Sequence, residues 1–148
     1  MAITMKLINI KFVYILLILQ AFFVLIGSTS DKSIIKTLEK SGWKAPPEAD
    51  NLKNPLKDLE AATEEGEIIF NQQCAICHGE NGSGDGIAGI GLNPRPADLT
   101  SEEVQKQSDG AIFWKITTGK PPMASYELIY SEKQRWQLVT YIRKLGQN

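Results

Sequence analysis

The sequence predicts an all-α domain, and three observations carry that expectation. No segment alternates apolar and polar residues as a half-buried strand would. Apolar residues instead recur three and four positions apart, and Ser, Thr, Gly and Pro bracket those stretches where helix caps and stops belong. The 148 residues, 43% hydrophobic and 22% charged, suit one ordinary globular domain.

Residues 1–30 stand apart from that domain. Met1 to Lys11 carries Lys6 and Lys11 and no acid, and Phe12 to Ile26 is apolar except for Gln20. Gly27-Ser28-Thr29-Ser30 follows before the first acid, Asp31. A basic start, an apolar middle and small residues at the exit form a secretory signal, cleaved after Thr29 or Ser30. The competing reading is an uncleaved membrane anchor through residues 7–27. The run from Phe12 is short of the ~20 residues a bilayer needs. Counting back to Leu7 reaches that length at the cost of Asn9 and Lys11, and Lys11 can snorkel. A buried core helix suits such a terminus poorly. Both main readings export everything after Ser30, to the periplasm or the outer face of the cytoplasmic membrane. No Cys lies near the cleavage zone, which excludes a lipid-modified N-terminus.

Residues 31–62 are expected to form an arm or linker. A short helix over 31–41 would use Ile34, Ile35 and Leu38 and stop at Gly42. Trp43-Lys44-Ala45-Pro46-Pro47 must then be extended, because proline disfavours helix in the residue before it. Trp43, Leu52 and Leu56 favour an irregular arm packed on the domain, which is placed at residues 63–148. There Thr63 is the expected N-cap of a helix whose first turn holds Glu64, Glu65 and Glu67. Gly66 and Phe70, four apart, share a face. Gly79 to Gly91 holds six of the twelve glycines and reads as a flexible loop. Asp109 to Thr118 is the next helix, with Ile112, Phe113 and Ile116 inward and Gly119 and Pro121-Pro122 beyond its end. The last runs from Ser131 to Leu145. Ser131 and Gln134 make a capping box, Trp136, Leu138, Val139, Tyr141, Ile142 and Leu145 the apolar face, and Gly146 the stop.

Charge and rare residues narrow the function. Sixteen Lys/Arg against seventeen Asp/Glu give a net charge of −1, which argues against a nucleic-acid partner held by a basic field. Without Lys6 and Lys11 the exported part is mildly acidic. Two cysteines cannot build the dense disulfide framework of a small secreted scaffold. A single histidine excludes any site that needs two.

Those three residues are adjacent. Cys74-Ala75-Ile76-Cys77-His78 is C-x-x-C-H, the haem c attachment signature. Two thiols three positions apart at a helix end can add to the two vinyl groups of one haem, and the next residue reaches the iron from the same side. A structural disulfide gives no reason for His78. A thioredoxin-type pair belongs after a strand at a helix start, whereas here the helix precedes it. Structural zinc needs four Cys/His ligands, and only three exist. An electron carrier also needs a sixth iron ligand. Met1 and Met5 lie in or before the signal, so Met123, after the turn-rich Gly119-Lys120-Pro121-Pro122, is the candidate. Core filling is its plain alternative.

With these residues in place, residues 63–146 resemble a class I cytochrome c, of a bacterial monohaem subgroup. Gly66-x-x-x-Phe70-x-x-x-Cys74 resembles that family's N-terminal helix, and Leu138 and Tyr141 its partner on the last helix. Cys77-His78-Gly79 through Gly84-Asp85-Gly86, then Pro94-Arg95-Pro96-Ala97-Asp98-Leu99, completes the likeness. The resemblance implies crossed N- and C-terminal helices around one covalently bound haem c, with redox proteins as partners. It also implies a proline carbonyl, of Pro96 or Pro94, that takes the hydrogen bond from the other nitrogen of His78. Ala124 departs from the family, which often has proline after its methionine ligand.

Other features have plainer readings. Gly84-Asp85-Gly86-Ile87-Ala88-Gly89 fits G-x-G-x-x-G, but no strand precedes it and Pro94 cuts off a following helix. Asp85 lacks the ladder of acids a calcium loop uses. Trp114 and Tyr126 are core or haem contacts. Ile76, Leu92, Leu99 and Ile112 are the expected pocket walls. Lys133, Arg135, Arg143 and Lys144 are expected on the solvent face of the last helix, where they or the Glu64–Glu67 run can serve as a docking patch.

Overall fold

The computed structural model describes residues 42–147. The expectations for the signal or anchor and for a helix over 31–41 lie outside the described residues. Among those described there is no strand, only an isolated bridge between Lys120 and Met123, and the domain is all-α.

Trp43 to Pro46 is extended, as the two prolines require, and Pro47–Asn51 forms a 3-10 turn with Ala49 buried. That turn packs on the helix Asp109–Thr118, where Gly110 leaves room for the backbone of Ala49. Asn54 then fastens the segment. Its Nδ2 donates to Thr140 Oγ1 at 3.2 Å, and its Oδ1 accepts from Leu56 N at 2.9 Å. A buried amide with both ends satisfied fixes the chain direction without an unpaired polar group.

Helix α1 runs Glu60–Gln73, with α2 (Ala75–His78) directly after it. The start of α1 corrects the expected cap. The N-cap is Leu59, with no side-chain cap bond, and Thr63 lies inside the helix with its N–H on Leu59 O. The turn over 55–58 ends at the extended Leu59 and the helix starts at once after it, so only Glu60 of the acids occupies the first turn. Ala62, Gly66, Ile69 and Phe70 form the buried face, at the expected spacing.

Helix α3 (Glu102–Gln105) was not foreseen; it is one turn, capped by Ser101. Helix α4 is Asp109–Thr118, capped by Ser108, and it buries Ile112, Phe113 and Ile116 as expected. Helix α5 is Glu132–Leu145 with the full Ser131–Gln134 capping box, and all six expected apolar residues are buried. Helices α1 and α5 cross in close contact. A Cβ on Gly66 would stand 2.7 Å from the carbonyl carbon of Gln137, so only glycine lets the two backbones meet. Beside the crossing, Phe70 and Tyr141 pack with centroids 5.2 Å apart. Phe113 stacks on Trp136 at 4.0 Å and ties α4 to the same core.

The expected basic solvent face of α5 is half wrong. Arg143 turns inward: its Nε meets Asp109 Oδ1 at 2.7 Å, and its Nη atoms donate to the carbonyls of Gln105 and Gln107. The short α3 ends there, and a guanidinium fork is the side chain that can satisfy several carbonyls at once. Arg135 lies over the Phe113 ring instead of in solvent. Lys133 is exposed, and Lys144 pairs at the surface with Glu67 at 3.2 Å.

Candidate functional site

Helix α1 delivers the Cys–His segment. Its last turn continues through Cys74, whose N–H bonds Phe70 O at 2.8 Å, and Cys74 O then accepts from Cys77 N at 3.1 Å and His78 N at 2.8 Å. The segment is therefore one helical turn, with both sulfurs on neighbouring positions of one side. Both cysteines are free. Burial, then the neighbouring Cys77, pushes the Cys74 thiol up to about 12, so it is a neutral thiol at physiological pH.

His78 is held from behind. Its Nδ1 lies 3.0 Å from Ala97 O. A carbonyl only accepts, so Nδ1 carries the proton and Nε2 keeps the free lone pair that a metal needs. Burial lowers the His78 pKa from its ordinary value, with the Ala97 bond opposing it, and the ring stays neutral. The acceptor is Ala97, neither Pro96 nor Pro94. Pro96 has a packing role: its Cγ would lie 2.7 Å from a Cβ on Gly89. The Ala97 carbonyl is steadied by the next residue, since Asp98 Oδ1 accepts from Thr100 N at 2.8 Å and Thr100 Oγ1 at 2.6 Å. These bonds hold the exposed Asp98 carboxyl below its usual range.

The glycine-rich stretch is no free loop. Gly84 N donates to His78 O at 2.7 Å, Ala88 N to Ile76 O at 3.0 Å and Leu99 N to Gly82 O at 2.7 Å. A Cβ on Gly86 would sit 2.5 Å from Ile76 O, and one on Gly84 2.6 Å from Pro96 O. The glycines let one backbone wrap another around the Cys–His turn. The sequence signal was their number, which reads equally well as mobility.

Met123 lies half-buried on the loop after α4. Its N–H bonds Lys120 O at 2.8 Å, and Gly119, at φ +63°, makes the turn that starts the loop. Two further bonds lash the loop to α4: Ser125 Oγ donates to Thr117 O at 2.6 Å and Tyr126 N to Ile116 O at 3.2 Å. The thioether is thus on a fixed turn.

Of the expected walls, Ile112 is buried and Leu92 and Leu99 are half-buried, but Ile76 is 58% exposed. Of the two residues between the cysteines, the one-turn helix turns Ala75 against the core and Ile76 outward. Trp114 packs on Trp43 at 6.1 Å. Tyr126 stacks on Tyr130 at 5.8 Å, and burial, then nearby Cys74, raises its hydroxyl pKa to about 12. That partnership was not legible from the sequence.

The donor set fits a haem: two unpaired thiols, an imidazole with its distal nitrogen free, and a thioether on a separate rigid loop. Among the described residues, no group of three or more His, Cys, Asp or Glu gathers around one position.

Comparison with known proteins points the same way. A family model described as "Cytochrome C oxidase, cbb3-type, subunit III" matches residues 61–142. Among solved structures, a chain of the Kuenenia stuttgartiensis reducing HAO-like protein complex Kustc0457/Kustc0458 is similar at 26% identity with a TM-score of 0.55. The match covers 64% of this chain and 49% of that one, so this chain spans about half the length of its structural neighbour. No curated protein matches.

Proposed function

The chain belongs to the cytochrome C oxidase, cbb3-type, subunit III family, a c-type cytochrome fold, and from that membership we propose that it is an exported single-haem electron carrier. The observation that carries this reading is the one-turn helix ending in His78. It presents two thiols together, and Ala97 commits the far ring proton so that Nε2 is the ligand. Cys74 and Cys77 would hold the haem through their thiols, and His78 and Met123 would be the residues that ligate its iron. The bound haem supplies reversible one-electron exchange between Fe(II) and Fe(III).

The chain's own residues do the rest. Ala97 keeps the imidazole plane from turning, and Asp98 with Thr100 keeps Ala97 in place. Ile112, Leu92 and Leu99 exclude water, which disfavours the extra charge of the oxidised state and raises the potential together with the thioether. Fixed ligands on fixed turns leave little to reorganise when an electron arrives. Electrons pass at the edge beside Ala75, Ile76 and the Pro121-Pro122 loop, where a small contact suits a transient partner.

Mass spectrometry of the mature protein tests the proposal. One haem added covalently, and lost in the double variant C74S/C77S, is the expected result; a mature chain without it overturns the reading. The same spectrum separates a cleaved signal from a retained anchor through residues 7–27. Among the described residues no helix is long and apolar enough to cross a membrane.

A second reading, an electron-accepting subunit of a larger oxidoreductase, has one observation in its favour: the structural neighbour belongs to a protein complex. Removing residues 31–42 while keeping Trp43 on Trp114 distinguishes the two. A subunit loses reduction by its native partner, and a free carrier does not. A haem enzyme or gas sensor, the third reading, would bind CO rapidly once reduced; a carrier closed by Met123 would not.

A further inference from the structure

Arg135 holds a charge that nothing in the described protein neutralises. Its Nε and Nη1 are shut off from solvent and meet no hydrogen-bond partner. Three other bases of the domain are answered by acids: Arg143 by Asp109, Lys144 by Glu67 and Lys106 by Glu102. What Arg135 has is a ring face, its Cζ 5.2 Å from the centroid of Phe113, which in turn stacks on Trp136. A ring face offsets only part of what burying those two nitrogens without a hydrogen bond costs.

Its surroundings suggest what the charge does. Phe113 and Trp136 belong to the buried cluster that also contains Phe70, and Cys74 and Ala75 pack against that cluster. The guanidinium, over Phe113, and Cys74 thus border the same apolar cluster, across which charges act on each other more strongly than across water. Oxidation of the iron of a haem attached at Cys74 and Cys77 and ligated by His78 would add one positive charge beside that core as one electron leaves for the partner. We propose that Arg135 is a positioning residue in the electrostatic sense: a fixed positive charge, with no acidic partner among the described residues, that disfavours the oxidised iron and raises the reduction potential. The inference rests on the haem reading above and adds to it a residue that touches no ligand.

The experiment uses the full-length holoprotein with the variants R135M and R135K. Covalent haem is confirmed by mass first, then the midpoint potential and the thermal midpoint are measured for each. In R135M the potential falls, while the thermal midpoint holds or rises, because methionine keeps the apolar stem and removes a buried charge. In R135K the potential stays near that of the parent, because the charge is restored without the guanidinium fork. An unchanged potential in R135M overturns the inference, whatever its stability. So does an equal fall in R135K and R135M, which would assign the effect to fork geometry. Absence of covalent haem from the parent protein sinks the earlier reading instead, and it shows in the mass before any potential is measured.

Discussion

Replacing Gly66 by alanine tests whether the α1–α5 crossing limits the stability of the whole domain. The added methyl would stand 2.7 Å from the carbonyl carbon of Gln137 and 3.0 Å from Tyr141 Cβ, with the Gln137 oxygen nearer still. Ordinary contact is about 3.5 Å, so the helices must part by roughly 1 Å. The obstacle is backbone in the middle of a helix, and it cannot swing aside. Parting them loosens Phe70, Leu138 and Val139, the most deeply buried large side chains. Overpacking of this kind costs about 3 kcal/mol, the upper end of its usual range. Alanine returns about 1 kcal/mol through its better helix propensity. The net loss of about 2 kcal/mol corresponds to a fall in thermal midpoint of roughly 10 °C for a domain of this size. Thermal unfolding of the holoprotein, followed by circular dichroism at constant pH, measures it. A thermal midpoint equal to or above the parent's would refute the reasoning, since it would mean the crossing has slack.

Other perturbations address the remaining parts. R143M removes the Asp109 pair and leaves the carbonyls of Gln105 and Gln107 without their donor; urea unfolding should show a loss of about 2–4 kcal/mol with unchanged slope. N54A unfastens the arm from Thr140 and should cost about 1–2 kcal/mol in the same assay. M123A opens the iron's sixth position, so the reduced protein should bind CO within mixing time and its potential should drop; a variant that still excludes CO would remove Met123 from the ligand set. Asp98 gives a pH signature. Its folded pKa lies below the unfolded one, so its contribution is full above the unfolded value and is lost as pH falls through the folded value. Stability of D98N should therefore vary less than the parent's between neutral pH and pH ~3, a range bracketing the ordinary carboxylate value, as chemical denaturation at both pH values will show.

How much was legible depended on the reach of each signal. Ser131 and Gln134 sit three apart, their bonds close within one turn, and α5 was read to its boundaries. The helix Asp109–Thr118 was equally clear, since Gly119 at φ +63° stops it whatever the rest of the chain does. The start of α1 failed because Thr63 resembles a cap in sequence, while the extended Leu59 takes the cap position with its backbone carbonyl alone, which no residue type signals. Arg143 was read as solvated because charge and helix position were all that spoke for it. Its partners are more than thirty residues away in Asp109, Gln105 and Gln107.

The sequence by itself determined that the domain is all-α and singled out Cys74, Cys77 and His78 as its candidate site. Cap, periodicity and C-x-x-C-H are relations within four or five residues, and one turn of backbone realises them without help. Only the tertiary structure decided which carbonyl orients His78, that the glycine-rich stretch is a wrap around the cysteines, and that two nitrogens of Arg135 are buried with no hydrogen-bond partner among the described residues. Each of these is a meeting of segments far apart in the chain. Ala97 and Pro96 are adjacent in sequence, but their carbonyls point in different directions, and a hydrogen bond can use only the one that faces the ring.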